Sequence, residues 1–245
     1  MTKWGALVYA KPMNILLTGA SRGIGAATLE ALIAAGHQVA GHSTRGGSGL
    51  IAGDLADPSA PRAIWGAALD ELGGRIDALV NNAGIYEGVA DDASDNEWHA
   101  AWDRTLRINL EATADLCRLA VNHFKAGGGG RIVNVASRAA FRGDSPQHWH
   151  YAASKSAIIG MTKTIARGYA ADNILAFAVA PGFTVSEMTE EYLAGRGGAA
   201  IVADIPLGRV TSTDEVAEAI RWLATEAPAA STGSVIDLNG ARYVR

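Results

Sequence analysis

The stretch NILLTGASRGIGAATLEALIAAG, residues 14–36, passes from an apolar segment through a glycine cluster into a helical pattern. NILLT (14–18) is short and almost wholly apolar, which predicts a buried strand. Apolar side chains then recur with helical spacing up to about Ala35, and Gly36 is of the type that ends a helix. This stretch therefore predicts a strand, a glycine-rich turn and a helix in immediate succession.

The three glycines of TGASRGIG (18–25) suit an anion-binding turn. Gly19 permits a tight turn, while Gly23 and Gly25 let the backbone approach a pyrophosphate and let the helix pack close to the strand. The free N–H groups and the dipole of the new helix favour an anion at the same place. The same glycines would also suit an ordinary strand-to-helix turn, so the rest of the chain has to decide between the two.

Further short apolar runs predict strands at 38–42, 49–53, 76–81, 131–136, 174–179 and 234–239. Helical patterns predict helices at 58–72, 97–125 in one or two pieces, 151–171 and 214–225, with Asp57 capping the first before Pro58. Apolar strands that alternate with helices are typical of a parallel sheet covered on both faces. We therefore expect one α/β domain over 1–245, a doubly wound, mostly parallel, seven-stranded sheet with helices on both faces.

The composition excludes several classes of function. The chain has 245 residues, a formal net charge of −4 and one cysteine, Cys117. A basic face for nucleic acid is not expected at this charge, and a lone cysteine cannot form an intramolecular disulfide. No run approaches the roughly 18 apolar residues of a membrane span. We expect a cytoplasmic protein that binds neither nucleic acid nor membrane.

Tyr151 and Lys155 lie four residues apart in YAASK, which places both side chains on one face of a helix. A nearby ammonium favours the phenolate, so Lys155 is expected to lower the pKa of Tyr151. Tyr151 could then act as a general acid–base. Alone, this spacing would equally describe a surface pair.

Other polar residues follow predicted strands at the same edge of the sheet. Ser137 comes just after the fifth strand, and NNAG (81–84) ends the fourth. A hydroxyl at Ser137 could orient a substrate carbonyl beside Tyr151. Asn109 stands within a predicted helix, where asparagine is a poor helix former, and a buried packing role is its alternative interpretation.

Together these motifs resemble the short-chain dehydrogenase/reductase family, and most closely its 3-oxoacyl-carrier-protein reductase branch. The resemblance covers essentially the whole chain after the first dozen residues and implies a Rossmann fold that binds a nicotinamide dinucleotide. It implies that Tyr151 is the acid–base, that Ser137 orients the carbonyl, and that Lys155 holds the nicotinamide ribose and tunes Tyr151. Asn109 would anchor a proton-relay water. The residues expected to contact the cofactor are Gly19, Ser21, Arg22, Gly23, Ile24, Gly25, Thr44, Arg45, Asp54, Leu55, Asn82, Ala83, Gly84, Tyr151, Lys155, Pro181, Gly182 and Thr184.

The segment VAGHSTRGGSG (39–49) indicates which dinucleotide is bound. A site for NAD commonly has an acidic residue near the end of the second strand, and this segment has none. Thr44 and Arg45, with Arg22 opposite, could bind a 2′-phosphate, so the predicted cofactor is NADP(H). Arg45 could instead be a solvated loop residue. The connection from Ser43 to Gly49 is too short for the usual crossover helix, and we expect an exposed, mobile loop without a helical turn.

The leading hypothesis is an NADP(H)-dependent oxidoreductase acting on a ketone, a 3-oxoacyl compound, possibly carrier-bound, or a secondary alcohol. A catalytically silent dinucleotide-binding protein and a sugar-nucleotide epimerase or dehydratase are the alternatives. The resemblance also implies a homotetramer or homodimer built on helices 97–125 and 151–171. It implies a substrate lid at 183–205. Residues 1–12, which precede the resemblance, are expected to form an N-terminal tail.

The loop from Ser137 to Tyr151 is expected to line the substrate. Its Arg138 and Arg142 could favour an anionic substrate or could be solvated charges. His148 and His150 have no evident third ligand nearby, so no metal site is predicted.

Overall fold

A computed structural model of the chain describes residues 11–184 and 198–244. Most of the predicted tail (1–12) and of the predicted lid (183–205) therefore lies outside the described residues. The strands are β1 (Asn14–Thr18), β2 (Gln38–Ser43), β3 (Ile51–Ala52), β4 (Ala78–Asn81), β5 (Gly130–Val135), β6 (Ile174–Pro181) and β7 (Val235–Leu238). The helices are α1 (Gly23–Ala34), α2 (Ala60–Glu71), α3 (Asp95–Leu106), α4 (Ala112–Gly127), α5 (Ala139–Arg142), α6 (Trp149–Tyr169), α7 (Gly198–Ala203) and α8 (Thr213–Thr225).

The strands form one seven-stranded sheet in the order β3-β2-β1-β4-β5-β6-β7. Every neighbouring pair is parallel, from the β2–β3 edge to the β6–β7 edge. The strand order reverses between β1 and β4, which leaves a crevice at their carboxyl ends. The predicted doubly wound, seven-stranded α/β fold is confirmed.

Strand β1 shows why the sheet needs helices on both faces. Leu16 is fully buried in the apolar cluster that includes Phe124 of α4, whereas Ile15 and Leu17 are buried in the cluster that includes Ile220 of α8. Successive side chains of a strand point to opposite faces. An uninterrupted apolar run is therefore what a strand covered on both sides requires.

Helix ends follow their local sequence, with two differences from prediction. Gly36 (φ 85°) ends α1 as predicted: its N–H donates to Ile33 O at 2.9 Å. Asp57 does not cap α2, which begins at Ala60; its Oδ1 accepts from Ser59 N at 2.8 Å and caps the preceding turn instead. Helix α6 begins at Trp149, so Tyr151 is its third residue rather than its first.

The connection from β2 to β3 contains no helical turn, which confirms that part of the prediction. Gly46, Gly47 and Gly49 have φ values of 66°, 87° and 79°, and Ser48 has a φ of 51°. These left-handed conformations fold the loop back on itself without a helix. Only two residues of the third strand then pair with β2, at its carboxyl end.

A π-helical turn, Arg107–Glu111, joins α3 to α4 and contains Asn109. The N–H of Ala112 donates to Arg107 O, five residues back, rather than to the residue four back. A π-turn holds one residue more than an α-turn and often marks a functional site. The predicted helix over 97–125 is thus one continuous rod with this irregular turn near its middle.

No helix in the described part of the chain is long and apolar enough to cross a membrane.

Candidate active site

A cleft of about 850 Å³ opens at the carboxyl ends of β1, β4, β5 and β6, and the crevice predicted by the strand order forms its floor. Every residue that the sequence assigns to the cofactor lines this cleft, and so does Ser137. Its wall carries the cationic side chains of Arg22, Arg45, Arg104, Arg138 and Lys155, and the carboxylates of Asp54 and Asp144. An anionic ligand suits this distribution of charge.

The glycine turn has no room for side chains. A Cβ on Gly25 would lie 1.9 Å from the carbonyl oxygen of Gly19, and a Cβ on Gly19 would lie 2.8 Å from Cα of Ala83. The N-cap residue of α1, Arg22, makes no side-chain capping hydrogen bond to the first turn. The first N–H groups of α1 are thus left to a ligand, as a phosphate site requires.

The segment after β4 is tied to the end of β1. Thr18 Oγ1 accepts from the N–H groups of Asn82 (3.0 Å) and Ala83 (3.1 Å). The Asn82 amide in turn donates to the carbonyls of Thr18 and Gly19, both at 3.0 Å. These bonds fix the two walls of the cleft to each other where its ligand would cross the sheet.

The outer end of the cleft is open. Thr44 and Arg45 follow β2 and are exposed, as is Arg22 on the facing turn. Within the described residues, no carboxylate lies within ion-pair distance of either arginine. Asp54 Oδ1 accepts from Ala56 N at 3.0 Å, which fixes a local turn. The two guanidinium groups are therefore available to an anion.

At the inner end, Lys155 is buried (5% exposed) behind Tyr151. Its Nζ donates to the carbonyl of Val135 at 2.8 Å and lies 5.8 Å from the centroid of the Tyr151 ring. Burial lowers the pKa of Lys155 to about 8. The lysine is thus held by the end of β5, close to the tyrosine ring.

The pKa of Tyr151 is raised, not lowered as predicted. Burial is the largest cause, and hydrogen bonding to Ser137 and the charge of Arg138 oppose it. The prediction considered only the lysine, whereas desolvation of the phenolate by burial dominates. Tyr151 is therefore a neutral hydroxyl at physiological pH, ready to donate a proton.

Ser137 and Asn109 occupy different positions in the site. Ser137 lines the cleft, and its Oγ accepts from Ala139 N at 3.1 Å. Asn109 is 1% exposed and does not line the cleft. Its amide accepts from Ile85 N at 2.8 Å and donates to Ile85 O at 3.0 Å. Asn109 thus fixes the segment after β4, which agrees with the packing role weighed as its alternative interpretation.

Sequence reasoning missed Tyr86. Its ring packs edge-on against Tyr151, with centroids 4.8 Å apart, and stacks on His148 at 3.9 Å. Its hydroxyl donates to Asp144 Oδ1 at 3.0 Å. Asp144, in the loop expected to line the substrate, and Phe183, at the start of the predicted lid, also line the cleft. Nothing in the sequence pairs a residue after β4 with the loop before α6.

Among the described residues, no group of three histidine, cysteine or acidic side chains could hold a metal ion. His148 is used by the stack on Tyr86 and by a 2.6 Å hydrogen bond between its Nδ1 and Ser145 Oγ. The absence of a metal from the mechanism remains a prediction.

Comparisons with known proteins agree with this geometry. The family model for short chain dehydrogenase matches residues 13–197. A 3-oxoacyl-[acyl-carrier-protein] reductase from Vibrio cholerae is 34% identical over 242 residues, covering 94% of this chain and 96% of that protein. A solved structure of a putative NAD(P)-dependent gluconate 5-dehydrogenase from Beutenbergia cavernae, with bound NADP, has a TM-score of 0.84 and 30% identity, covering 96% of this chain and 98% of that one. A 3-oxoacyl (acyl-carrier-protein) reductase from Agrobacterium tumefaciens with NADP bound has a TM-score of 0.84 and 29% identity, covering 95% of each chain. This chain, with its parallel sheet, its glycine turn and its tyrosine–lysine pair, belongs to the short chain dehydrogenase family.

Proposed function

We propose that the protein is an NADP(H)-dependent oxidoreductase that interconverts a ketone and a secondary alcohol, with Tyr151 as the acid–base. The meeting of Tyr151, Lys155 and Ser137 at the inner end of one cleft carries the proposal. Solved relatives that hold NADP support the choice of cofactor. The substrates in their names, gluconate and a 3-oxoacyl group, are both alcohol or carbonyl compounds.

The residues present fit a dinucleotide. The glycine turn offers N–H groups and no obstructing side chain, as a pyrophosphate needs. At the outer end, Arg45 and Arg22 both line the cleft and would hold a 2′-phosphate through charge-assisted hydrogen bonds. Because no acidic residue follows β2 before Asp54, nothing on this segment repels that phosphate. NADP(H) is therefore the proposed cofactor.

The bound nicotinamide would supply or accept the hydride. In the reduction, the neutral hydroxyl of Tyr151 donates its proton to the carbonyl oxygen, which becomes the alcohol. The Ser137 hydroxyl donates a hydrogen bond to the same oxygen and orients it. The ammonium of Lys155, held under the ring, stabilises the phenolate that remains on Tyr151 until it is reprotonated. The oxidation reverses each proton movement.

Replacing Tyr151 by phenylalanine tests the assignment. Loss of the general acid should lower kcat by about 10²- to 10⁴-fold, while the cofactor dissociation constant, measured by fluorescence titration, should stay nearly unchanged. Tyr169→Phe, on the same helix but outside the cleft, is the matched control. Retained turnover in Tyr151→Phe would contradict the role of Tyr151 as the acid–base. Cofactor binding without turnover of any carbonyl compound by the unaltered protein would favour the silent binding protein.

The homotetramer or homodimer and the cytoplasmic location are part of the same proposal. The buried, unpaired thiol of Cys117 is compatible with a reducing compartment. Light scattering of the purified chain would determine the oligomeric state.

A further inference from the structure

Arg138 immediately follows Ser137 and lines the same end of the cleft. Its backbone is fixed at both polar groups: its N–H donates to Pro181 O at 3.0 Å, and its carbonyl accepts from Phe141 N at 3.1 Å and Arg142 N at 3.2 Å. The side chain therefore starts from a rigid point between the end of β6 and the short helix α5.

The guanidinium group of Arg138 is held against an aromatic ring. Its Cζ lies 4.4 Å from the ring centroid of Phe183, and Cζ of Arg242 lies 5.0 Å from the same centroid. Arg138 is half-buried, and burial is the largest cause that lowers its pKa; the Asp144 charge opposes this shift, and the nearby Arg142 charge adds to it. The group is thus positioned and partly desolvated, unlike a solvated loop arginine.

Among the described residues, this guanidinium has no acceptor of its own. In residues 11–184 and 198–244 its side chain makes no hydrogen bond or ion pair, whereas Arg242 donates to Asp204 at 2.7 Å. Asp144 is the carboxylate whose charge acts on the pKa of Arg138. It already accepts hydrogen bonds from the hydroxyl of Tyr86 and from Ser145 N at 2.8 Å. A planar fork of N–H donors therefore faces the cleft with its hydrogen bonds unmade.

We infer that Arg138 is a specificity residue that binds a carboxylate of the substrate, so that the protein acts on free oxo acids or hydroxy acids. The inference rests on the proposed function, because Ser137 and Tyr151 must receive the reacting oxygen next to it. Guanidinium groups bind carboxylates through two parallel hydrogen bonds. One guanidinium charge beside Asp144 suits a singly charged carboxylate better than a doubly charged phosphate. A neutral ketone, an ester or a carrier-bound thioester would leave Arg138 unpaired.

The test compares acids with their neutral analogues. Oxo acids with the carbonyl at carbon 2, 3, 4 or 5 would be assayed with NADPH beside their methyl esters and the N-acetylcysteamine thioester of 3-oxobutanoate. The unaltered protein should prefer the best acid over its ester by about 10- to 100-fold in kcat/KM, the range expected of a half-buried charge pair. Arg138→Met should remove that preference, mainly through KM, and the acid-to-ester ratio cancels any change in Tyr151 that both substrates share.

Two further variants separate binding from folding. Arg138→Lys keeps the charge without the planar fork and should recover only part of the preference. Arg142→Met removes an exposed arginine at the end of α5 that does not line the cleft, and turnover of both substrate classes should be unaffected. If Arg138→Met misfolds, the acid-to-ester ratio of the unaltered protein and the lysine variant still decide the inference.

The proposed function and this inference can fail separately. Equal turnover of esters and acids, with an unchanged ratio in Arg138→Met, would overturn the carboxylate site and leave the oxidoreductase intact. If no compound of the panel were turned over, the oxidoreductase proposal would fail for this substrate class. Calorimetric titration of the NADP-loaded protein with the oxo acids would still test the site: binding lost in Arg138→Met supports it, and equal or absent binding overturns it.

Discussion

Replacing Lys155 by methionine should stabilise the ligand-free protein at neutral pH, although the proposed mechanism needs the lysine. The ammonium group is 5% exposed and donates to one carbonyl, that of Val135. No carboxylate in the described residues forms an ion pair with it. A buried charge without a counter-charge lowers the free energy of unfolding. Methionine has a similar length and no charge to desolvate.

The magnitude follows from the pKa of Lys155, which burial lowers from 10.5 to about 8. The folded protein therefore binds this proton more weakly than the unfolded chain, and the difference lowers stability at pH 7 by about 3 kcal/mol. The penalty is complete below pH 8 and fades as the pH rises towards 10.5. Stability of the unaltered protein should thus gain about 2 kcal/mol from this group between pH 7 and 9.5. In the variant, the Val135 carbonyl loses its hydrogen bond to Lys155, and this loss offsets about 1–3 kcal/mol of the gain in stability.

Urea unfolding without cofactor, at pH 7 and pH 9.5, measures both effects. Lys155→Met should be as stable as the unaltered protein or up to about 2 kcal/mol more stable at pH 7, and that difference should shrink by about 2 kcal/mol at pH 9.5. Lys163→Met, an exposed lysine of the same helix, should show no such change. A stability difference that does not depend on pH would refute the reasoning. Turnover should be lost in Lys155→Met but not in Lys163→Met.

Replacing Arg45 by alanine should raise KM for NADPH by about 10- to 100-fold and change KM for NADH little, since only NADPH carries the 2′-phosphate. Equal use of both cofactors by the unaltered protein in steady-state kinetics would contradict the assignment. Replacing Gly25 by alanine should weaken cofactor binding by about tenfold or more, because the new Cβ meets the Gly19 carbonyl oxygen. The same contact should lower the free energy of unfolding by about 1–3 kcal/mol. Gly66→Ala lies within α2, where no atom beyond its chain neighbours and its own helix backbone is within 4 Å of the new Cβ, and it should instead raise the free energy of unfolding by about 0.5–1 kcal/mol. Fluorescence titration and urea unfolding measure both glycine variants, and unchanged cofactor affinity in Gly25→Ala would contradict the close contact.

The strands, and the edge of the sheet where the cleft opens, could be predicted from sequence. A strand that is buried on both faces is an unbroken run of apolar residues. NILLT shows it in one unbroken apolar run, and Gly36 marks the helix end after it. Helices α5 and α7 were not predicted, since four and six residues are too few for a helical period to show. Asp57 has the side chain of a helix cap, but it accepts a hydrogen bond within the turn before α2 instead.

The interior of the site was harder to predict because its contacts join distant segments. Tyr86 and Asp144 are 58 residues apart in sequence, and neither has a local pattern that indicates the other. The pKa of Tyr151 depends on how deeply the ring is buried, which the neighbouring Lys155 does not reveal. Similarly, Trp98 and Trp149 are far apart in sequence, yet their ring centroids lie 5.3 Å from each other.

The π-helical turn at Arg107–Glu111 has a consequence for how this chain can change in length. Removing one residue there would restore an α-turn and let α3 and α4 keep their buried faces, because an inserted residue is what separates the two kinds of turn. The same deletion would withdraw Asn109 from the backbone of Ile85. The helix therefore carries one residue more than its packing requires. A chain shortened by that residue should therefore keep its fold and lose the anchor of the segment after β4.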